Sequence, residues 1–167
     1  MSEHLSNFLA SFMSPVGVTF VLSMLPISEL RGALLYALTI GDVPFKTAYP
    51  LAVIGNMIPI IPVVFFLGPA SNMLRKFSWG DRLVEWVFAR ARSRSDKIRM
   101  YETWGLVLFV AIPLPVTGAW TGSVAAFLCG IRKPAALVAI LAGVLIAGLV
   151  VSAFTVGVTE TFSALFG

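Results

Sequence analysis

Two charged residues, Glu29 and Arg31, stand two positions apart inside an otherwise apolar stretch of this chain. Burying either charge alone at the centre of a hydrocarbon core costs at least ~2.5–3.5 kcal/mol on the insertion scale. Residues kept there usually mark a path for substrate or protons, although an ion pair that only pins a turn would use the same side chains. Arg31 carries a guanidinium fork suited to phosphate or carboxylate. Gly32 opens a short apolar arm whose helix N-terminus would turn its positive dipole end toward the same place, with the Ser28 hydroxyl beside it. Glu29 would repel an anion unless protonated, which would link substrate occupancy to a proton.

A second polar cluster follows in Pro113-Leu-Pro-Val-Thr-Gly118. Thr117, Gly118 and Thr121 would bring hydroxyls and free backbone N–H groups to the start of another arm. Trp120 would either stack on a substrate or pack its own segment. Together the two clusters predict an anion-receptive midplane, as where half-helices converge in secondary transporters. No glycine-rich nucleotide loop, metal-ligand cluster or nucleophile–base arrangement is visible, so neither enzyme activity, metal nor cofactor is expected. Cys129 lies in an apolar run and reads as a packing residue, and His4 as solvated.

The elements that position these residues must lie in lipid. Of 167 residues 58% are hydrophobic and 12% charged, about half the charged share of a soluble domain. Such a chain cannot clothe its own surface in polar groups. The first residues carry Glu3 and lack a basic n-region, so no cleavable signal peptide is expected. Eight of the twelve basic residues fall between Arg75 and Arg99. Next to apolar spans that run reads as a cytoplasmic segment held inside by its charge rather than as a nucleic-acid surface. Trp79, Leu83, Trp86 and Val87 recur at helical spacing within it, which predicts an amphipathic helix on the inner leaflet.

The apolar stretches are interrupted in a repeating way. Sliding the chain by 89 positions pairs Phe20 with Phe109, Leu25-Pro26 with Leu114-Pro115, Ala37 with Ala126, Gly41 with Gly130 and Gly68 with Gly157. Each half reads as a broken apolar segment, a short polar turn and one long span. Repeat one covers about 17–74, the basic linker 75–103 and repeat two about 104–160, all within a single membrane domain, 1–167. The arms around Pro26–Gly32 and Pro113–Gly118 have nine to thirteen residues, which reaches only about half-way through a ~30 Å core. Proline and glycine there predict re-entrant hairpins, with Pro26, Pro113, Pro115 and Gly122 as structural residues of the tips. Such backbone is tolerated at membrane depth only where protein covers it or it lines a polar cavity.

Charge placement separates two topologies. Four straight spans would put Arg132-Lys133 outside, opposite the basic linker. Two re-entrant hairpins with two full spans put them inside with it, leaving Lys46 outside and Arg31 at membrane depth. The positive-inside rule favours the second arrangement. The fold expected is therefore an all-α integral membrane protein of the prokaryotic cytoplasmic membrane, built as an inverted repeat of hairpin plus transmembrane helix. The segment 75–99 would be cytoplasmic and both termini outside. Asn56, Pro59 and Pro62 predict a kinked second span, with Asn56 hydrogen-bonding across helices. Small residues at Ala142-Gly143, Ala147-Gly148 and Ser152-Ala153 would mediate close packing, within the chain or in a homodimer.

The strings Pro26-Ile-Ser-Glu-Leu-Arg-Gly32 and Pro113-Leu-Pro-Val-Thr-Gly-Ala-Trp-Thr-Gly122 resemble the paired signatures of the small multidrug export protein family. The resemblance covers nearly the whole chain. It implies a grouping with the DedA and VTT-type membrane proteins, which include candidate lipid scramblases and undecaprenyl-phosphate flippases. By the same resemblance Glu29, Arg31 and Gly32 match the first motif, and Pro115, Thr117, Gly118, Trp120, Thr121 and Gly122 the second. The DedA proteins carry further charges near the second tip, where this chain has only Thr, Gly and Trp. A lipophilic cation would want Glu29 free of a neighbouring arginine. The expected function is thus a small, proton-coupled secondary-type transporter or flippase for an anionic lipid-phosphate head group. Drug or cation export is the alternative, and a non-transporting membrane assembly factor the second.

Overall fold

The computed structural model describes residues 13–74, 103–112 and 117–166, and every element among them is helical. In chain order these are α1 (Pro15–Met24), α2 (Glu29–Thr39), α3 (Phe45–Leu74), α4 (103–111), α5 (Ala119–Leu128) and α6 (Lys133–Phe166). The basic segment 75–102, with its expected amphipathic helix, lies outside the described residues, as do Pro113 and Pro115.

Local chemistry sets the helix ends. Ser14 caps α1 by accepting from the Gly17 N–H at 3.3 Å, and Pro15 occupies the first turn, where its missing N–H is harmless. Pro26 cannot extend α1, which stops at Met24. At the end of α5, Gly130 takes φ +69, and the Ile131 N–H returns to the Ala126 carbonyl at 3.0 Å. That left-handed glycine closes the helix at little steric cost.

Helix length and exposure identify the solvent. The 10 residues of α1 and the 11 of α2 reach ~15–17 Å, about half of a ~30 Å core. By contrast, Phe45–Pro69 and Lys133–Val158 are long and apolar enough to cross it. Their exposed positions include Ile54, Ile61 and Phe66 on α3, and Val138, Leu149 and Phe154 on α6. The buried residues include Thr19, Ser23, Asn56, Ser123, Ser152 and Thr155. Apolar side chains thus cover the outside as well as fill the inside, which makes a lipid-facing surface. This is a membrane protein.

The hydroxyls of that buried set are satisfied mostly within their own helices. Thr19 donates to the Pro15 carbonyl at 2.8 Å, Ser123 to Ala119 at 2.7 Å and Thr155 to Val151 at 2.8 Å. Bonds of this kind let a hydroxyl enter an apolar environment without a partner helix.

The element order repeats. Shifting α1, α2 and α3 by 89 positions brings their ends within three residues of those of α4, α5 and α6. A backbone bond at the end of each second arm matches too, Ile40 N–H to Tyr36 and Cys129 N–H to Ala125, both at 2.9 Å.

The chain forms two compact units. The first, Met1–Ile58 with Leu145–Gly167, holds α1 and α2, the opening part of α3 and the closing part of α6. In it α1 packs on α2. The Tyr49 hydroxyl donates to the Leu145 carbonyl at 2.9 Å, and a Cβ at Gly148 would stand 2.8 Å from the Tyr49 ring. The second unit, Pro59–Val144, holds α4, α5, the rest of α3 and the start of α6. Here Gly143 lies against Val107 and Val110 of α4. Gly143 and Gly148, from the expected small-residue rows, therefore serve close packing inside one chain.

Helix α3 continues through Pro50, Pro59, Pro62 and Pro69. Each proline deprives the carbonyl four residues earlier of its usual donor. For Pro69 that carbonyl is Phe65, and the Lys133 ammonium supplies a bond to it at 3.2 Å while standing 5.3 Å from the Phe65 ring centroid. A cation in the first turn of α6 opposes the helix dipole, so this bond explains the lysine's position. Lys133→Met should lower stability by about 1 kcal/mol, the small figure reflecting the exposure of the ammonium. Thermal unfolding of the purified protein in detergent measures it, and an unchanged midpoint would show the contact to be idle.

Candidate functional site

The first candidate site is the turn that joins α1 to α2. Pro26 has no N–H to give the Leu22 carbonyl. Two groups replace it: the Leu25 N–H at 3.3 Å and the Ser28 hydroxyl, which donates at 2.5 Å. The turn is then closed by the Glu29 N–H bonding Leu25 and the Gly32 N–H bonding Ser28, both at 2.8 Å. These bonds bring Pro26, Ser28, Glu29, Arg31 and Gly32 together at one end of the α1–α2 pair. Pro26 is exposed, while the other four are half-buried.

Glu29 has a left-handed backbone, with φ +48. Glycine or asparagine adopts that conformation readily, whereas a longer side chain pays roughly 1–2 kcal/mol for it. The carboxylate starts α2, where a negative charge is favoured by the dipole, and its charge acts on the Arg31 guanidinium. Gly32 follows in the first turn, where an added Cβ would stand 2.7 Å from that of Ser28. A strained glutamate beside an arginine, in a hairpin too short to cross a membrane, joins chemistry to backbone strain at one point.

The second unit holds the other candidate residues. Thr117 and Gly118 are buried before α5, and Trp120 and Thr121 are half-buried in its first turn. The Thr117 hydroxyl donates to the Ile112 carbonyl at 2.9 Å, and that of Thr121 to Gly118 at 3.3 Å. Gly122 lies inside α5, where a Cβ would meet Val110 at 2.7 Å, so it serves the packing of α5 on α4.

Ser28 and Thr117 are 89 positions apart, and each hydroxyl reaches back to a carbonyl at the end of the preceding arm. Sequence reasoning assigned both to substrate, and the repeat offset was the signal that could have paired them as ties of the two turns. Their protons are committed to the backbone, so toward a ligand these hydroxyls can only accept. In the first turn, donation to an anion would fall to Arg31.

Asn56 departs from expectation. It is 1% exposed, yet its Oδ1 has no hydrogen-bond partner among the described residues. The bond across helices expected from the sequence is not made by that oxygen.

The family model described as "Putative small multi-drug export protein" matches residues 29–150, close to three-quarters of the chain. The chain belongs to that family. The match opens on Glu29 and takes in Arg31, Gly32, Asn56, the second turn and about half of α6, whereas α1, Pro26 and Ser28 precede it. No curated protein and no solved structure matches the chain. The family's description speaks of export, and membership joins the two long apolar helices in marking a membrane protein.

Proposed function

We propose that this member of the small multi-drug export family is a proton-coupled, secondary-type transporter or flippase, without enzymatic activity, whose first turn receives an anionic lipid-phosphate head group. The observation that carries this reading is Glu29 at φ +48 beside Arg31, in a hairpin whose arms are too short to span. Arg31 would bind the phosphate oxygens, and protonation of Glu29 would remove the charge that opposes them. The repeat of element order supports a reading as inverted re-entrant repeats, related to the DedA and VTT-type proteins, in a prokaryotic cytoplasmic membrane. In that topology the basic segment is cytoplasmic and both termini lie outside. A homodimer would help two spans shield two hairpins.

The family description favours a second reading, export of small lipophilic drugs or cations. Proteoliposomes carrying the full chain separate the two. A fluorescent alkyl phosphate should cross from one leaflet to the other faster under an imposed proton gradient, as read by dithionite quenching. Ethidium efflux without phosphate crossing would replace the first reading by the second. Neither flux would sink both and leave the assembly-factor role.

A further inference from the structure

Leu30 stands between Glu29 and Arg31 in the chain, yet it is 2% exposed while both neighbours are half-buried. It opens the buried stripe of α2 that continues through Ala33, Leu34 and Ala37. Its branch ends on α6. A Cβ built at Gly148 would lie 3.3 Å from the Leu30 Cδ2 and 2.8 Å from the Tyr49 Cε2. Leu30 and Tyr49 therefore meet in a notch that exists because residue 148 has no side chain. All three residues belong to the same compact unit.

The notch has one fixed wall. The Tyr49 hydroxyl bonds the carbonyl of Leu145, three residues before Gly148 on the same helix. The Phe45 ring packs against that of Tyr49, with 5.3 Å between centroids. The Tyr49 ring cannot swing away from α6 without losing its hydrogen bond. Leu30 fills the remaining space, and its backbone carries Glu29 on one side and Arg31 on the other. Successive residues of a helix turn by about 100°, so a rotation of α2 that unseats Leu30 also re-aims Arg31. The turn's own backbone bonds, Glu29 to Leu25 and Gly32 to Ser28, close within the hairpin and do not register it on α6.

We propose that Gly148 is a positioning residue for the first turn: its missing side chain seats Leu30, and the seat fixes where Glu29 and Arg31 stand. The inference rests on the phosphate reading above and adds what orients its residues. The test follows transfer of the fluorescent alkyl phosphate in proteoliposomes of the full chain, over a range of probe mole fractions. Gly148→Ala brings a carbon into the notch, and because the Tyr49 ring is tied, Leu30 gives way. The half-saturating mole fraction should rise about three- to tenfold with maximal flux kept, since a small misplacement weakens the grip on phosphate. Leu30→Val alone under-fills the notch and should raise it by less. Together the two changes fit each other, and the double variant should return close to wild type. Gly157→Ala, whose Cβ meets nothing within 4 Å, is the control and should leave both values unchanged.

A purely structural glycine gives another pattern. Maximal flux would fall with the unfolding midpoint, half-saturation would stay, and Leu30→Val would add to the damage. That pattern, or a Gly148→Ala variant that behaves as wild type, overturns the proposal. A second measurement needs no phosphate. Ile27, 78% exposed, is changed by Ile27→Cys in a Cys129→Ser background, and its maleimide labelling rate is followed in detergent. Gly148→Ala should change that rate severalfold and added Leu30→Val should restore it, whereas equal rates in all variants overturn the seat. A wild type that carries no phosphate overturns the transport reading, and the labelling then decides the seat alone. Leu30→Val is read against wild type in both measurements even where Gly148→Ala does not fold, and no change in either overturns the proposal.

Discussion

Arg31→Gln should reduce phosphate transport by roughly 10- to 100-fold, and Glu29→Gln should leave transport that no longer changes with pH. The first figure follows from losing charge-assisted hydrogen bonds worth about 1.5–3 kcal/mol. Arg31→Lys should recover only part of it, because an ammonium lacks the planar fork that grips two oxygens. Glu29→Gly separates function from structure. It releases a left-handed backbone that costs a side-chain-bearing residue roughly 1–2 kcal/mol, so the variant should melt no lower than wild type while losing proton coupling. If the pair merely pins the turn, the results reverse. Removing either charge would then lower the melting temperature, and any flux would keep its pH response. Flux at several pH values, set beside thermal unfolding, decides between the two.

Gly143→Val should be the most damaging single change outside the turns. A Cβ at that position would stand 2.6 Å from the Val110 Cβ and 2.9 Å from the Val107 carbonyl oxygen. A carbonyl inside a helix cannot move aside as a flexible side-chain end can, so α4 and α6 would have to separate. Overpacking of this kind costs about 1–3 kcal/mol. Gly157 is the control, because a Cβ there meets nothing within 4 Å. Gly157→Ala should be neutral or slightly stabilising, since alanine favours a helix by up to about 1 kcal/mol. Both variants are read by detergent unfolding, and an equal response would show that the close approach at Gly143 carries no weight.

Much of the fold was legible because proline, glycine and hydrophobicity act locally. The 89-residue offset anticipated the helix order, and α1 is short because Pro26 interrupts it. The two long spans were visible as uncharged runs. What remained hidden depends on which groups face each other. Nothing in the order of residues says that the Ser28 and Thr117 protons are taken by carbonyls behind them. Gly122 was read as a tip residue because it ends the second motif, whereas its surroundings make it a contact for Val110. Polar residues in apolar helices usually find partners, so Asn56 looked like a bond between helices. Only burial together with the unpartnered oxygen distinguishes it. The backbone of Glu29 left no trace in the sequence, since a glutamate after a turn is more often an ordinary start to a helix.

The prolines also have a consequence for how the chain is made. The carbonyl freed by Pro26 is refilled six residues later by Ser28, so the first hairpin can satisfy itself as soon as it emerges. The carbonyl freed by Pro69 waits for Lys133, which lies 68 residues beyond Phe65. At about 5–20 residues per second, synthesis takes roughly 3 to 14 s to deliver that lysine. During that interval the Phe65 carbonyl of α3 is left as an open acceptor. The nascent first half is thus expected to stay near the insertion machinery, or to hold water, until the second half arrives to release it.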